Sequence, residues 1–255
     1  MSAPPAPPPT VHIDPETLER ATVQAVSPER LDDTLPGWLL PMDHGTVGRA
    51  RCAVPLSHEG ADPAVVPQVV QRYTDAGFVP AWRLPDLAAF GALGAALQAD
   101  GWRREQPTLT QVAPLAPLLT LAEPVEVVLR PQADAEWLTM FLGEGLDPVD
   151  GAHRSRALAR ASGTLFVSAL RDGATVACGA ASLSHGWLGV HGMRTAAAWR
   201  GRGLAAQVMT AMARAAAERG IGRAFLQVDA GNLGAQSLYR RAGYVTAWSY
   251  AYWRR

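Results

Sequence analysis

Lysine is missing from this chain, and asparagine occurs once, at Asn232. All 23 basic residues are therefore arginine. Without lysine there is no Schiff-base former, no internal lysine acceptor and no phosphate-binding P-loop of the GxxxxGK(S/T) form. Cysteine is nearly absent too. Cys52 and Cys178 stand far apart with no CxxC pair, which excludes a disulfide framework and reads as two free buried thiols in a reducing compartment. His12, His44, His58, His153 and His185 are scattered without metal-ligand spacing, so no metal is expected. The formal net charge is zero, which argues against bulk attraction to nucleic acid or membrane. No apolar run approaches the roughly 20 residues that span a bilayer. The opening MSAPPAPPPT has neither the basic residue nor the apolar core of a secretory signal; it reads as a polyproline-like lead-in, and the expected location is cytoplasmic.

What the chain does have is a punctuated α/β pattern. Prolines 114, 117 and 124 mark a linker, placed at 116–124. It separates residues 29–115 from 125–255, and 1–28 form the lead-in and N-terminal segment. In the second half, Val125–Arg130 reads as a strand, and Asp134–Leu142 and Ala152–Ala161 as helices. Three antiparallel strands follow, turning at Arg171-Asp-Gly173 and near His185-Gly186. A helix is predicted from Gly203 to Arg219, with Leu204, Val208 and Met212 on one face and Gly220 past its end. RAFLQVD is a buried strand, Asn232 caps a helix ended by Gly243, and VTAWSYAYW is the last strand, its aromatics read as core. The first half repeats the end of this pattern. Helix–Gly–strand occurs twice, with Gly77 and Gly101 separated by 24 residues, against 23 between Gly220 and Gly243. The expected fold is two related α/β units in tandem.

The densest chemical signal is WRGRGLAA, Trp199–Ala206, at the mouth of the Ala-rich helix. A helix N-terminus carries unpaired N–H donors and partial positive charge, and so attracts anions, above all phosphates. Gly201 and Gly203 leave the backbone bare, while Arg200 and Arg202 add charge-assisted donors. Gly201-Arg-Gly203-Leu-Ala-Ala206 also fits the GxGxxA dinucleotide fingerprint, with Asp229 after the next strand. That motif needs an apolar strand running into its first glycine, whereas TAAAWR intervenes, and too little chain follows to complete a dinucleotide domain.

Arg200-Gly-Arg-Gly203-Leu-Ala205 matches the R/Q-x-x-G-x-G/A loop of the GCN5-related N-acetyltransferases, the GNAT superfamily. The segment from Met193 to Tyr244, with Asn232 after the next strand and LYRRAGY beyond it, resembles that family throughout. The likeness covers about Val125–Arg255. The whole chain resembles a tandem member with a degenerate N-terminal copy, each unit a mixed, mostly antiparallel twisted sheet flanked by helices. The resemblance implies acetyl-CoA as co-substrate and a primary amine or peptide N-terminus as acceptor. It places the backbone of Met193, Arg194 and Thr195 on the pantetheine arm. The pyrophosphate falls on Arg200, Gly201, Arg202, Gly203, Leu204, Ala205 and Ala206, and the cofactor arm on Asn232. Tyr239 falls where the family carries the general acid that protonates the leaving thiolate.

The general base is open at this level. Gln227 and Gly189 stand where relatives carry glutamate. His191, two residues before Met193 and read as sharing its strand face, is the titratable candidate; water and carbonyls are the alternative. In the N-terminal copy, Leu97 replaces the tyrosine and Phe90 the asparagine, so that copy is expected to hold no cofactor and to wall the acceptor cleft. A non-catalytic acyl-CoA-binding sensory or regulatory module is the competing reading of the whole.

Overall fold

The structure is a computed structural model and describes residues 11–143 and 147–255; residues 1–10 of the expected lead-in lie outside these. The chain enters through helix α1 (Pro15–Gln24), which the sequence reading missed. Its start is locally encoded: the Asp14 carboxylate accepts from the Glu16 and Thr17 amides, and proline stands in the first turn. A small antiparallel sheet follows, β1 (Arg30–Asp32), β2 (Trp38–Met42) and β3 (Val54–Pro55), with a 3₁₀ turn at Gly48–Ala50 between the last two. Then come α2 (Val65–Asp75), β4 (Trp82–Pro85), α3 (Gly91–Ala99) and β5 (Arg103–Pro114). The second half comprises α4 (Ala116–Leu119), β6 (Val127–Arg130), α5 (Ala135–Thr139), α6 (Pro148–Arg160), β7 (Thr164–Arg171), β8 (Ala174–Ser184), β9 (Trp187–Thr195), α7 (Leu204–Ala217), β10 (Arg223–Asp229), α8 (Leu233–Arg241) and β11 (Val245–Arg254).

The helix–Gly–strand repeat is present as element order: α2–β4–α3–β5 is matched by α7–β10–α8–β11. The four helices also end alike. A positive-φ glycine (77, 101, 220, 243) is followed by a residue whose amide bonds back to the carbonyl five residues earlier: Phe78 to Tyr73, Trp102 to Leu97, Ile221 to Ala216 and Tyr244 to Tyr239.

The expectation of two units with a sheet apiece needs correction. One eight-stranded sheet, in the order β4-β11-β5-β10-β9-β8-β7-β6, takes strands from both halves. β5 lies between β10 and β11, and β11 between β4 and β5, so each half inserts its last strand between strands of the other. All neighbours are antiparallel except β9 and β10. The segment expected as a linker, 116–124, packs on the second half. Leu118 of α4 is fully buried in the core shared with α7, and the Ala122 amide donates to Thr210 Oγ1 at 3.2 Å.

The sheet has two packed faces. On one, α7 lays Leu204, Val208 and Met212 against Leu188, Val190, Leu226 and Val228. On the other, Leu18 of α1 meets Trp187, Phe225, Tyr250 and Tyr252. The alternation of Leu226 and Val228 with Phe225 along β10 is the period-2 pattern of a strand buried on both sides. Three polar links tie α1 to its face: Trp187 Nε1 donates to Thr17 Oγ1 (3.3 Å), Arg83 donates to Glu19 (Nη1–Oε1 3.0 Å), and Gln227 Nε2 donates to Thr22 Oγ1 (2.9 Å).

Candidate functional site

The site begins where two strands part. β9 and β10 pair in parallel only at Leu188–Ala224 and Phe225–Gly189. Beyond these pairs β9 stays bonded to β8 as far as Thr195, while among the described residues no strand pairs with its other edge from Val190 onward. A strand edge without a neighbour offers N–H and C=O groups to an extended ligand. Within this stretch β9 also bulges. Ala180 opposes His191 and Cys178 opposes Arg194, so the partner strand has one residue where β9 has two, and Gly192 takes φ +60°. The bulge reverses the alternation. Met193 turns to the α7 face, whereas His191 stacks edge-on to Phe225 on the α1 face. The expectation that these two residues share a strand face is therefore incorrect, because a bulge adds the residue that flips it.

After β9 comes the Gly/Arg loop. A 3₁₀ turn at Ala197–Trp199 leads into Arg200, Gly201, Arg202 and Gly203, all exposed, and then into α7. Gly203 is the N-cap residue, at φ +75°, and no side chain caps the helix. A Cβ built on Gly201 or Gly203 would meet nothing within 4 Å, so the space above these amides is open. Arg202 lies over the Trp199 ring at 4.6 Å, and Arg200 Nε donates to the Thr195 carbonyl at 3.3 Å. Among the described residues neither guanidinium has a carboxylate partner. Bare amides, a helix dipole and two arginines without carboxylate partners among the described residues thus lie together here, the features that attract anions to a helix start, and Leu204, Ala205 and Ala206 supply the first helical turn.

Tyr239 of α8 is 9% exposed, its ring 5.9 Å from that of Tyr244. Burial raises its pKa, partly opposed by the positive charge of Arg194, so the phenol is protonated at neutral pH. Asn232 caps α8, its Oδ1 accepting from the Ala235 amide at 3.1 Å. The matching N-cap of α3 is Phe90, which makes no such bond, and the residue matching Tyr239 is the fully buried Leu97.

On the α1 face the structure shows a network that the sequence did not reveal. Arg49, from the 3₁₀ turn of the first half, donates through Nη1 to His191 Nδ1 (3.0 Å) and to Gln227 Oε1 (2.7 Å). A guanidinium cannot accept, so Nδ1 is the accepting nitrogen and the ring proton sits on Nε2, which is buried without a partner. His191 is 3% exposed, and desolvation together with the Arg49 charge drives its pKa well below 6.5. Its lone pair is held by arginine and its cation is disfavoured both by burial and by charge, which weighs against the base role for which His191 was a candidate beside water and carbonyls. A lone arginine 142 residues upstream, in a loop without a motif, carried no sequence signal for this contact.

Among the described residues no group of three or more His, Cys, Asp or Glu could hold a metal, and no helix is long and apolar enough to cross a membrane.

Comparison with solved structures agrees with the topology. A GCN5-related N-acetyltransferase from Kribbella flavida superposes with a TM-score of 0.68 at 21% identity, covering 94% of each chain. One from Sphaerobacter thermophilus gives 0.54 at 18% identity over 80% of this chain and 72% of its own. A tandem GNAT protein from the clavulanic acid biosynthesis pathway gives 0.58 at 15% identity over 85% and 76%. At such identities the likeness is one of fold. No curated protein matches the sequence. A family model described as "Probable histone acetyltransferase Rv0428c C-terminal" matches residues 14–253, through both halves and from α1 to β11, and the chain belongs to that family.

Proposed function

We propose that the chain is an N-acetyltransferase that binds acetyl-CoA between β9 and β10 and transfers its acetyl group directly to an amine. One observation carries this reading. β9 and β10 pair only at Leu188–Ala224 and Gly189–Phe225, and β9 then runs through the exposed Gly/Arg loop into the uncapped, arginine-flanked start of α7, which supports a coenzyme arm along β9 and a diphosphate at the helix. The unpaired β9 edge at Met193, Arg194 and Thr195 suits an amide-bearing arm. The open amides of Gly201–Ala206, with Arg200 and Arg202, suit a diphosphate. Asn232 keeps its side-chain NH₂ available while Oδ1 caps α8.

In this reading the amine nitrogen attacks the acetyl carbonyl, a C–N bond forms and the C–S bond breaks. The departing thiolate takes the Tyr239 proton. The surplus proton of the amine leaves to water, from which the phenolate is restored. No side chain of the Arg49–His191–Gln227 network serves as base. Positive charge instead favours the neutral form of a bound amine, because a like charge disfavours the ammonium. The first half acts as a degenerate copy. Its helix α2 begins under Asp62, whose carboxylate accepts from the Ala64 amide and whose carbonyl accepts from Val65. Acid and satisfied amides there oppose a phosphate, and the half contributes Arg49 to the acceptor face instead.

A second reading, an acyl-CoA-binding module without turnover, is favoured by one observation: neither Gln227 nor the arginine-bound His191 can accept a proton. Calorimetric titration with acetyl-CoA followed by thiol release with an amine panel decides. Heat and thiol release support the enzyme, heat without release supports the module, and no heat removes both. A lysine-bearing basic peptide belongs in the panel because of the family's description.

A further inference from the structure

Three guanidiniums from distant parts of the chain converge on the α1/α6 side of the sheet. Arg49 comes from the first half, Arg154 from α6, and Arg194 from the bulged end of β9. Arg154 lies close enough to depress both of the others electrostatically. One carboxylate, Asp150, answers them: it accepts from Arg154 Nε at 2.5 Å and from Thr46 Oγ1 at 2.7 Å. Arg49 spends Nη1 on two neutral acceptors. Arg194 lies over the Phe141 ring at 5.0 Å, donates Nη1 to the Met193 carbonyl at 3.1 Å, and leaves Nε buried with no partner. Among the described residues neither Arg49 nor Arg194 forms a salt bridge, although the Asp150 charge acts on Arg194. Desolvating a cation without a counter-charge is costly; Arg49 bears that cost, while Arg194 feels only the Asp150 charge that Arg154 already holds. The Arg194 charge also partly offsets the burial that raises the Tyr239 pKa, so the cluster acts on the phenol to which the proposed reaction assigns the acid role. The Gly201–Ala206 amides are on the α7 side, so the phosphates of a coenzyme held there would not meet this cluster.

We infer that the acceptor is a primary amine that also carries a carboxylate, bound by the guanidinium of Arg49 within this cationic cluster. The guanidinium is the side chain suited to that task, since its paired N–H groups match two carboxylate oxygens. This deepens the acetyltransferase reading and rests on it. It also sets this chain apart from an enzyme for lysines in basic peptides, whose charge the cluster would repel.

The test uses the full chain, acetyl-CoA and matched acceptor pairs: β-alanine against propylamine, 4-aminobutyrate against butylamine, glycylglycine against glycylglycinamide, plus a lysine-rich peptide. The expected result is a kcat/KM for the acids at least about tenfold above their partners, with the peptide poorest. Arg49→Gln should shrink that ratio by about tenfold, and Arg49→Lys should restore part of it. If the wild-type protein acetylates amines with no preference for the carboxylate, or favours the peptide, the inference falls while the acetyltransferase reading stands. If Arg49→Gln lowers both members of a pair equally, Arg49 is structural and the inference falls as well. Absence of acetyl-CoA binding overturns both readings. The wild-type panel decides even if the variant fails to fold.

Discussion

Arg49 Nη1 and His191 Nδ1 lie 3.0 Å apart, across 142 residues of chain and between the two halves of the molecule. The bond fixes the imidazole as neutral, and burial with the Arg49 charge keeps it so well below pH 6.5. In the unfolded chain the same histidine titrates near 6.5. Below that pH the unfolded state therefore binds a proton that the native state refuses. Stability attributable to His191 is full above about pH 6.5 and declines as pH falls toward its lowered native pKa, by at most about 1.4 kcal/mol per unit. His58, also held below 6.5 by burial, adds a slope of the same sign. His191→Asn keeps an acceptor for Arg49 and removes the titration. Urea melts at pH 7, 6 and 5 should show a shallower acid decline for this variant than for wild type. Parallel declines would mean that His191 is charged in the native state.

Glu19 and Arg83 form a second buried junction, 3% and 1% exposed, with Arg83 also 5.0 Å from the Tyr250 ring centre. The pair joins α1 to β4, and the carboxylate raises the arginine's pKa further. Removing one partner strands a buried charge, so Glu19→Gln should cost about 3–5 kcal/mol in denaturant melts. The double change Glu19→Leu with Arg83→Met should recover most of that, because apolar replacements of similar size leave nothing unpaired. A double variant no better than the single would assign the role to α1 packing instead.

The second half was legible in the sequence because its signals are local. Arg223–Asp229 was read to the residue, the turns after Arg171 and at His185-Gly186 fall between β7, β8 and β9, and Asn232 caps α8 as its residue type demands. The repeat was legible from glycine spacing, for each glycine closes a helix by the same backbone bond. Strand exchange was not. Nothing local to Arg103–Pro114 says that its neighbours are β10 and β11, since sheet order is decided by long-range pairing. Helix α1 was missed although Asp14 and Pro15 announce it, because only three apolar positions follow and its polar side chains find partners on distant strands. The β9 bulge was missed because one glycine at positive φ inside a strand looks like any other. Arg49 was missed because a contact made across so much sequence leaves no spacing to read.

The open space above the first amides of α7 makes a separable prediction. Gly203 sits at φ +75°, where a side chain costs roughly 1–2 kcal/mol, but a Cβ there touches no protein atom within 4 Å. Gly203→Ala should therefore lose only about that much stability in denaturant melts. If the amides hold a diphosphate, the new methyl group stands between them and the ligand, and acetyl-CoA affinity should fall by more than about tenfold. Calorimetry on the folded variant checks it; undiminished affinity would move the diphosphate away from this helix.

Tyr239 bears the last prediction. Its phenol is 9% exposed, and burial raises its pKa, so it holds its proton across the range in which an amine acceptor is neutral enough to attack. Tyr239→Phe removes one oxygen from a side chain otherwise packed against Tyr244, and should leave the fold and the acetyl-CoA dissociation constant nearly unchanged. The thiolate would then leave unprotonated, and kcat should drop by about a hundredfold or more. The high-pH limb of the wild-type kcat profile, set by loss of the phenolic proton, should lie above pH 10 and vanish in the variant, because the native phenol titrates above its ordinary value. A poor acceptor would lower kcat in both proteins alike, so their ratio for one amine isolates the proton donor. Equal turnover for the two proteins would leave the tyrosine a packing residue and require the thiolate to draw its proton from water.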